Sequence, residues 1–550
     1  MAFKVLFVSI YSRQEGDDGQ EELGIASIAA LMRKQGYEVM IKGGYQDQLD
    51  YDEIIRFGPD IIGGSVYTLS KDSFYAFCKK IKQKLKDVYI CAGGYLPTYY
   101  DVEMMKEADF VDFIIRGEGE YTFLELVSSL ENQKDLKDIK GLTYRCGDSI
   151  VLNERRDLIP DIDILPPPSR DYLIENKLKI AVLATSRGCF ANCSFCVAGD
   201  FWKKWRSRSV RNVLSEIKSL HGLGVKRINF IDLSFEDSHG GTRRMEEIAR
   251  GIIDMNLDIS YFIDIRAEFY KELSPKLVHL LKKSGLSAVL LGIETANRED
   301  LKLYGKRAAL EDNYNSIEFF RKYDINTKIG FINFNPYSRF KGLYENVTFL
   351  EKYGFAYDYK MMITRYRLTR GSRLDNKIKK DNLMGNGRYD DVYNYDFVDE
   401  RILRLYNFLY GYFRELNDIF SNFSAMPVYL LRLSDTKKRL KNNKKAFHLV
   451  TEYEQKIAGI LDGLNRSNAQ CFRHLLSLAE NNWKEEEAEK TIRAFLGRKY
   501  LLEIVSDLKE KAIEFFTNMY YLDTNNDSIV SFLYNTSAVK GKKKGGEMPN

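Results

Sequence analysis

The chain has 550 residues, 44% of them hydrophobic and 29% charged, a composition typical of a globular protein with about three domains. Its net charge is only +5, from 83 basic and 78 acidic residues, so nucleic acid is not expected as the main partner. No run of 18 apolar residues occurs, and the N-terminus is typical of a strand rather than a signal peptide; we therefore expect no membrane span and a cytoplasmic location.

Residues 4–132 alternate short apolar runs with amphipathic stretches, which predicts a parallel, doubly wound, Rossmann-like sheet. Such sheets bind ligands outside the carboxyl ends of their strands. We take residues 1–140 as the first domain. The predicted strands are Lys4–Ile10, Tyr37–Lys42, Asp60–Tyr67, Val88–Ala92 and Phe110–Arg116, with helices at Glu22–Lys34, Ser73–Leu85 and Tyr121–Leu130.

Residues 141–178 are predicted to form a linker. Gly141–Tyr144 and Ile150–Leu152 could pair as a small hairpin across Gly147. The run Pro166–Pro168 is stiff and cannot continue a helix, which favours a boundary between domains there.

A second strand–helix series over residues 179–385 predicts a partial (β/α)6 barrel, whose site would lie on the loops after its strands. The predicted strands are Ile180–Thr185, Arg227–Ile231, Ile259–Ile265, Ser287–Gly292, Asn326–Phe334 and Tyr357–Tyr366. The predicted helices are Val210–Leu220, Arg243–Asp254, Pro275–Ser284, Leu310–Tyr323 and Leu343–Tyr353.

Residues 386–524 lack strand patterns and predict a helical C-terminal domain. The expected helices are Phe397–Asn417, Lys445–Leu461, Ala469–Ala479, Trp483–Phe495 and Tyr500–Phe516. The aromatic residues of the first helix, among them Tyr406 and Tyr410, could form its core or a lid over a substrate. Residues 525–550 are expected to be a disordered basic tail.

Three of the seven cysteines, Cys189, Cys193 and Cys196, fall within eight residues, directly after a predicted strand. The odd total argues against a disulfide framework. Three thiolates can hold three irons of a [4Fe–4S] cluster and leave the fourth iron open to an external ligand. Structural zinc is the alternative, but it normally takes four ligands, and no histidine stands nearby.

The spacing Cys-x-x-x-Cys-x-x-Cys, with Phe195 before the last cysteine, resembles the cluster motif of the radical S-adenosylmethionine superfamily. The resemblance implies that S-adenosylmethionine chelates the open iron through its amino and carboxylate groups. One-electron reduction would then cleave it to a 5′-deoxyadenosyl radical, which takes hydrogen from the substrate.

Further segments resemble this superfamily in order and spacing. They are Trp205–Ser209 before a helix that contains Glu216, Ile231–Phe235, Arg266, Gly292–Thr295 and Gly330–Pro336. The resemblance implies that Asp232, Arg266 and Glu294 contact the amino group, ribose or carboxylate of S-adenosylmethionine, with Phe195, Glu216 and Gly292 in the same cofactor-binding set. Taken singly, Asp232 or Glu294 could instead be a strand-end cap or a surface carboxylate.

The first domain resembles the cobalamin-binding domain fused to one subfamily of these enzymes. Its matching segments surround the predicted cobalamin contacts Gly24, Ser65, Gly93, Gly94, Tyr95, Gly117 and Glu118. Glycines after strands let the backbone approach a bulky ligand. The five histidines lie at 221, 239, 279, 448 and 474, so this domain supplies no histidine to cobalt, and Leu96 replaces the histidine of the subfamily pattern. Either cobalamin binds against an apolar or weakly ligating side chain, or the domain is vestigial.

The resemblance implies a cobalamin-dependent radical enzyme that methylates an unactivated carbon of a natural-product precursor, peptide, lipid or tetrapyrrole. Ring formation or oxidation, as in the anaerobic magnesium-protoporphyrin monomethyl ester cyclase, is the nearest alternative. A non-catalytic iron–sulfur redox or scaffold protein is the alternative from another class. A flavodoxin- or ferredoxin-like electron donor is the expected partner.

Overall fold

The computed structural model describes residues 3–11, 21–236, 241–424 and 443–522, with isolated positions from 426 to 442. The first sheet has seven strands in the order β2-β1-β3-β4-β5-β6-β7, of which the first five are parallel. The strands are β1 (Lys4–Ile10), β2 (Glu38–Gly44), β3 (Ile61–Ser65), β4 (Tyr89–Gly93), β5 (Phe113–Ile115), β6 (Leu142–Cys146) and β7 (Ser149–Leu152). The predicted doubly wound sheet is confirmed.

Helices cover both faces of this sheet, with a separate apolar core on each side. Gly63 shows why the centre of β3 carries glycine: a Cβ there would lie 2.8 Å from the ring of Phe7, which packs on Phe123 with ring centroids 4.8 Å apart. The helices are α1 (Leu23–Lys34), α2 (Tyr51–Phe57), α3 (Lys71–Lys82), α4 (Tyr95–Tyr99), α5 (Asp101–Glu107) and α6 (Glu120–Glu131).

The hairpin expected in the linker pairs with β5 in antiparallel fashion and so extends the first sheet. Its strands match the predicted segments to within two residues. The chain then runs through a single 3-10 turn at Ile162–Ile164, the three prolines and α7 (Asp171–Glu175) to the second sheet. The proline run therefore does connect two separate sheets.

The second sheet has five parallel strands in the order β14-β13-β12-β11-β8. These are β8 (Ile180–Leu183), β11 (Arg227–Phe230), β12 (Ser260–Arg266), β13 (Leu286–Glu294) and β14 (Asn326–Phe331), and a short ladder joins β9 (Ser186–Arg187) to β10 (Arg206–Ser207). The helices are α8 (Ala198–Phe201), α9 (Val210–Gly222), α10 (Arg243–Asp254), α11 (Pro275–Ser284), α12 (Arg298–Leu303), α13 (Leu310–Lys322), α14 (Phe340–Lys352), α15 (Tyr359–Ile363) and α16 (Arg373–Lys380).

The predicted sixth strand, Tyr357–Tyr366, is wrong. Tyr359–Ile363 is a short helix, and only Arg365 forms a single parallel bridge, to Phe334. The segment is apolar because Tyr359 and Met362 are buried against the C-terminal helices rather than in a ladder. A short apolar run does not by itself distinguish a buried strand from a buried helix.

The C-terminal region is helical, as predicted, with α17 (Glu400–Glu415), α18 (Asn417–Ser424), α19 (Lys444–Asn481), α20 (Glu485–Leu496) and α21 (Arg498–Leu522). The prediction of two helices between Lys445 and Ala479 is wrong, because α19 is continuous. Two asparagines between the predicted helices dock the continuous helix: Asn465 accepts from the Ala356 N–H at 2.8 Å, and Asn468 donates to the Ala356 carbonyl at 2.6 Å.

Tyr406 is buried in the core of this region, whereas Tyr410 is exposed. Only some of the aromatic residues of α17 therefore belong to the core. The predicted tail at 525–550 lies outside the described residues. No helix in the described ranges has both the length and the apolar character needed to cross a membrane. All seven cysteines are free.

Candidate functional site

The cysteine loop, residues 189–196, begins at the carboxyl end of β8, after the short strand β9, as the sequence predicts. It is held in place through Ser194, whose N–H donates to the Tyr304 carbonyl at 2.7 Å and whose own carbonyl accepts from the Leu374 N–H at 2.8 Å. Phe195 packs edge-on against Tyr304, with centroids 5.3 Å apart. The loop is therefore fixed by two other parts of the barrel before any ligand is bound.

Burial raises the pKa of all three loop thiols, that of Cys193 to about 11. Cys196 is nevertheless solvent-exposed, and Cys189 and Cys193 are half-buried. The thiols are therefore protonated at neutral pH, and a bound metal would have to displace their protons. Among the described residues, no group of three His, Cys, Asp or Glu side chains lies close enough together to bind a single metal ion.

Glu294 ends β13 in a left-handed conformation, with φ 67°, next to an irregularity in the pairing with β14. Its carboxylate lies 3.8 Å from the Lys306 ammonium, and burial raises its pKa. Gly292 and Gly330 leave room for it, since a Cβ at Gly330 would lie 3.3 Å from its oxygens. A non-glycine residue held at positive φ is costly, which is typical of functional sites.

Arg266 ends β12 beside the cysteine loop. Its guanidinium lies 4.4 Å from the centre of the Phe190 ring and forms ion pairs of 2.8 Å with Glu236 and with Glu268. The Glu236 side chain is fully buried, and one of its oxygens has no hydrogen-bond partner among the described residues. These contacts hold Arg266 in position near the cysteines, and the unpartnered Glu236 oxygen can still accept a hydrogen bond.

Asp232 is 1% exposed, and its carboxylate accepts hydrogen bonds from the Thr185 N–H and hydroxyl and from the Ser186 hydroxyl. Desolvation raises its pKa. This is the strand-end cap that the sequence left open as the alternative role. Its predicted contact with a cofactor therefore has no support from its surroundings and stays a prediction.

A cavity of about 530 Å³ lies between the carboxyl edge of the first sheet and the barrel. It reaches the cysteine loop, because Gly188, the residue before Cys189, lines it. All seven predicted cobalamin contacts line it as well: Gly24, Ser65, Gly93, Gly94, Tyr95, Gly117 and Glu118. The sequence motifs of the first domain thus converge on one space next to the cysteines.

Buried ion pairs build part of the wall of this cavity. Glu118 accepts from Arg187 at 2.8 Å and from Arg206 at 2.9 Å, so this carboxylate joins the first domain to the barrel. Glu216 pairs with Arg170 and with Arg208, the latter at 2.5 Å. These two predicted cofactor-binding residues hold the wall together through protein contacts.

Several lining residues were missed by the sequence reasoning. Arg187 stands two positions before Cys189 and could have been found by adjacency alone. Lys306, which does not line the cavity but pairs with Glu294, was also missed and gives no local signal. Phe201, Trp202 and Leu233 add an apolar side to the cavity, and Leu233 is 48% exposed toward it.

The side chains present fit the [4Fe–4S] cluster and the cobalamin that the sequence implies. Three thiols on one loop suit a cluster with an open iron better than a structural zinc ion, which would take four ligands. In the cavity, the Tyr95 hydroxyl is buried without a hydrogen-bond partner among the described residues, as expected where a ligand supplies one. Gly24 and Gly117 have nothing within 4 Å of a Cβ position, so their backbones are open to a large ligand.

Two family models match the chain, the B12 binding domain over residues 19–127 and the Radical SAM superfamily over residues 183–339. The chain is 31% identical over 359 residues to the uncharacterized methyltransferase PH0819 of Pyrococcus horikoshii. The matched region covers 63% of this chain and 77% of that protein. It is 27% identical over 315 residues to the anaerobic magnesium-protoporphyrin IX monomethyl ester cyclase of Synechocystis, covering 55% of this chain and 62% of that protein.

The fold is similar to that of OxsB, a cobalamin-dependent S-adenosylmethionine radical enzyme solved with aqua-cobalamin and S-adenosylmethionine bound. The TM-score is 0.69 at 20% identity, and the match covers 97% of this chain and 83% of that chain. The resemblance therefore extends over the helical C-terminal region as well as the two α/β units.

Proposed function

The chain belongs to the radical S-adenosylmethionine superfamily, in the subfamily with an N-terminal B12-binding domain, and we propose that it methylates an unactivated carbon of its substrate. The cofactors of this enzyme class are a [4Fe–4S] cluster, S-adenosylmethionine and cobalamin. When bound, they supply a one-electron reductive cleavage that yields the hydrogen-abstracting radical, and a cobalt-bound methyl group.

The observation that carries the proposal is the position of the cavity. It touches the glycine-rich strand ends of the first sheet on one side and Gly188, next to the cysteine loop, on the other. A methyl carrier and a radical source must reach the same substrate carbon, so their sites have to be adjacent.

The protein's own residues have separable tasks in this proposal. Cys189, Cys193 and Cys196 would ligate the cluster. Arg266 can donate to a carboxylate, and Glu294 can accept from an ammonium group or ribose hydroxyls. The two residues end neighbouring strands, so both could contact the same ligand. Phe201, Trp202 and Leu233 would exclude water from the space between the cofactors.

The enzyme uses an external electron donor, and we propose a flavodoxin- or ferredoxin-like protein for this role. The substrate is proposed to be a natural-product precursor, peptide, lipid or tetrapyrrole.

The test is anaerobic incubation of the reconstituted enzyme with S-adenosylmethionine labelled in its methyl group, reductant, hydroxocobalamin and a panel drawn from these four classes. Label in a carbon-linked methyl group of one substrate, with 5′-deoxyadenosine in comparable amount, is the expected result. Product formation without label would reject methylation.

The second candidate is radical cyclisation or oxidation, which the 27% identity to the magnesium-protoporphyrin ester cyclase favours. In that case the same incubation with a tetrapyrrole ester gives 5′-deoxyadenosine and an unlabelled product. Absence of 5′-deoxyadenosine with every reductant and substrate, while the cluster is intact, would instead support the non-catalytic alternative.

A further inference from the structure

The outer side of the cysteine loop lies between two helix ends. The Ser194 hydroxyl donates to the Leu303 carbonyl at the end of α12, and the Arg373 guanidinium at the start of α16 donates to the Asn192 carbonyl. Gly305 fits against both, since a Cβ there would lie 3.4 Å from the Asn192 carbonyl and 3.1 Å from the Arg373 guanidinium. Asn192 itself is exposed, so this part of the loop is a surface.

Exposed basic residues surround that surface, and we call them the basic collar. Lys302 and Arg307 flank Gly305 in the sequence, and Arg373 and Lys380 lie on α16. Lys203 and Lys204 lie beside the start of the loop, because the Lys204 carbonyl packs on Gly188. The collar consists of Lys203, Lys204, Lys302, Arg307, Arg373 and Lys380.

The collar is a local excess of positive charge in a chain whose charges nearly balance. Among the described residues, none of the six collar side chains forms an ion pair within 4 Å, and Arg373 instead donates to the Asn192 carbonyl. The nearest carboxylates on α16 and after it are neutralised by other lysines: Asp375 pairs with Lys379 and Asp381 with Lys377, each at 2.7 Å. The exposed positive charges of the collar therefore remain available to an acidic partner.

We propose that the basic collar is the docking surface for an acidic one-electron carrier protein of the flavodoxin or ferredoxin type. The inference rests on the proposed function, because a docking site for a carrier is needed only where the cysteine loop holds a cluster that must be reduced. In each encounter the carrier is oxidised by one electron and the cluster is reduced by one, with no transfer of atoms.

The position of the collar favours a carrier protein over other anionic partners. The exposed Asn192 and Cys196 belong to the same short loop, so a protein seated on the collar stands next to the cluster ligands. Complementary charges accelerate such encounters and make them sensitive to salt. A nucleic acid or an anionic membrane would gain nothing from this proximity.

The test compares the double variant Lys302→Glu/Lys380→Glu with the control Lys444→Glu/Lys445→Glu, which reverses the same number of charges on exposed residues of α19. Binding of oxidised flavodoxin is measured by calorimetry on the anaerobically reconstituted enzyme at low and high salt. We expect wild-type binding to weaken with salt, the collar variant to bind at least about tenfold more weakly, and the control to match wild type.

Formation of 5′-deoxyadenosine is then measured with reduced flavodoxin and, separately, with dithionite. The collar variant should lose about tenfold in the flavodoxin-driven rate and keep the dithionite-driven rate. Unchanged flavodoxin binding, equal loss with both reductants, or tighter salt-dependent binding of a DNA duplex or anionic vesicles than of flavodoxin would each overturn the proposal. If dithionite gives no 5′-deoxyadenosine even with wild type, the proposed function fails, while the binding comparison still decides the collar.

Discussion

Tyr95, at the carboxyl edge of the first sheet, stacks on Phe201, which follows the cysteine loop, with ring centroids 5.4 Å apart and planes inclined by 21°. Both residues line the cavity. Through this contact the wall of the cavity is continuous with α8, the short helix that follows the cysteine loop. The proposed cobalamin site and the segment that follows the proposed cluster loop therefore share packed side chains.

The Tyr95 hydroxyl gives the first prediction. Because it is buried without a partner among the described residues, its removal in Tyr95→Phe should stabilise the protein without cobalamin by about 1 kcal/mol. The same change should weaken hydroxocobalamin binding several-fold if the ligand supplies the missing partner. Thermal unfolding with and without cobalamin measures both effects. Destabilisation of the cobalamin-free protein would mean that the hydroxyl already has a partner.

Gly24 offers a way to fill the cavity without straining the fold. It lines the cavity near the start of α1, has an ordinary φ, and has nothing within 4 Å of its Cβ position. Gly24→Leu should leave the melting temperature nearly unchanged and reduce cobalamin binding at least about tenfold, because the new side chain occupies the ligand's space. Cobalamin retained after gel filtration is measured by its absorbance.

Gly222→Leu is the matched control, since Gly222 also has open space around its Cβ position but ends α9 outside the cavity. This variant should retain cobalamin as wild type does. If Gly24→Leu also retained it, the ligand would have to bind elsewhere than in this cavity.

Asp264 gives a prediction about pH. Burial, with Asp232 and Glu236 nearby, raises its pKa to about 7 despite Lys328, and its Oδ1 atom has no hydrogen-bond partner in the described ranges. When a carboxyl group has a higher pKa in the folded than in the unfolded protein, the folded protein loses stability as the pH rises through that higher value. Asp264→Asn should therefore be more stable than wild type at pH 8 by roughly 2–4 kcal/mol, and equally stable near pH 4.

Urea unfolding of the cluster-free protein at four values between pH 4 and pH 8 measures this difference. Asp258→Asn serves as the control because the Asp258 side chain is 68% exposed, and it should show no such dependence on pH. A constant difference between the Asp264 variant and wild type would contradict the assigned pKa.

The sequence predicted the parts of the fold that have regular periodicity. β1, α10 and α11 have the predicted bounds, and the cysteine loop lies at the expected strand end. It could not predict that Tyr359–Ile363 is a helix, because its apolar residues are buried by helices distant in the sequence. Nor could it predict that Asn465 and Asn468 lie inside α19, where they form hydrogen bonds to residues 351–357.

The candidate site shows the same division. The motifs identified the cysteines and seven of the residues that line the cavity, but not Arg187, Phe201, Trp202 or Leu233. It could not show that the Asp232 carboxylate is occupied by Thr185 and Ser186, or that Lys306 lies next to Glu294. Such contacts depend on the packing of loops from different strands, which leaves no periodic signal in the sequence.

The most direct measurement is electron paramagnetic resonance of the anaerobically reconstituted, dithionite-reduced protein before and after addition of S-adenosylmethionine. A [4Fe–4S] signal that changes with the cofactor, and that is lost in Cys193→Ala while cobalamin is still bound, is the predicted result. A bound mononuclear zinc ion in place of the cluster, or a cluster signal that S-adenosylmethionine leaves unchanged, would contradict the account.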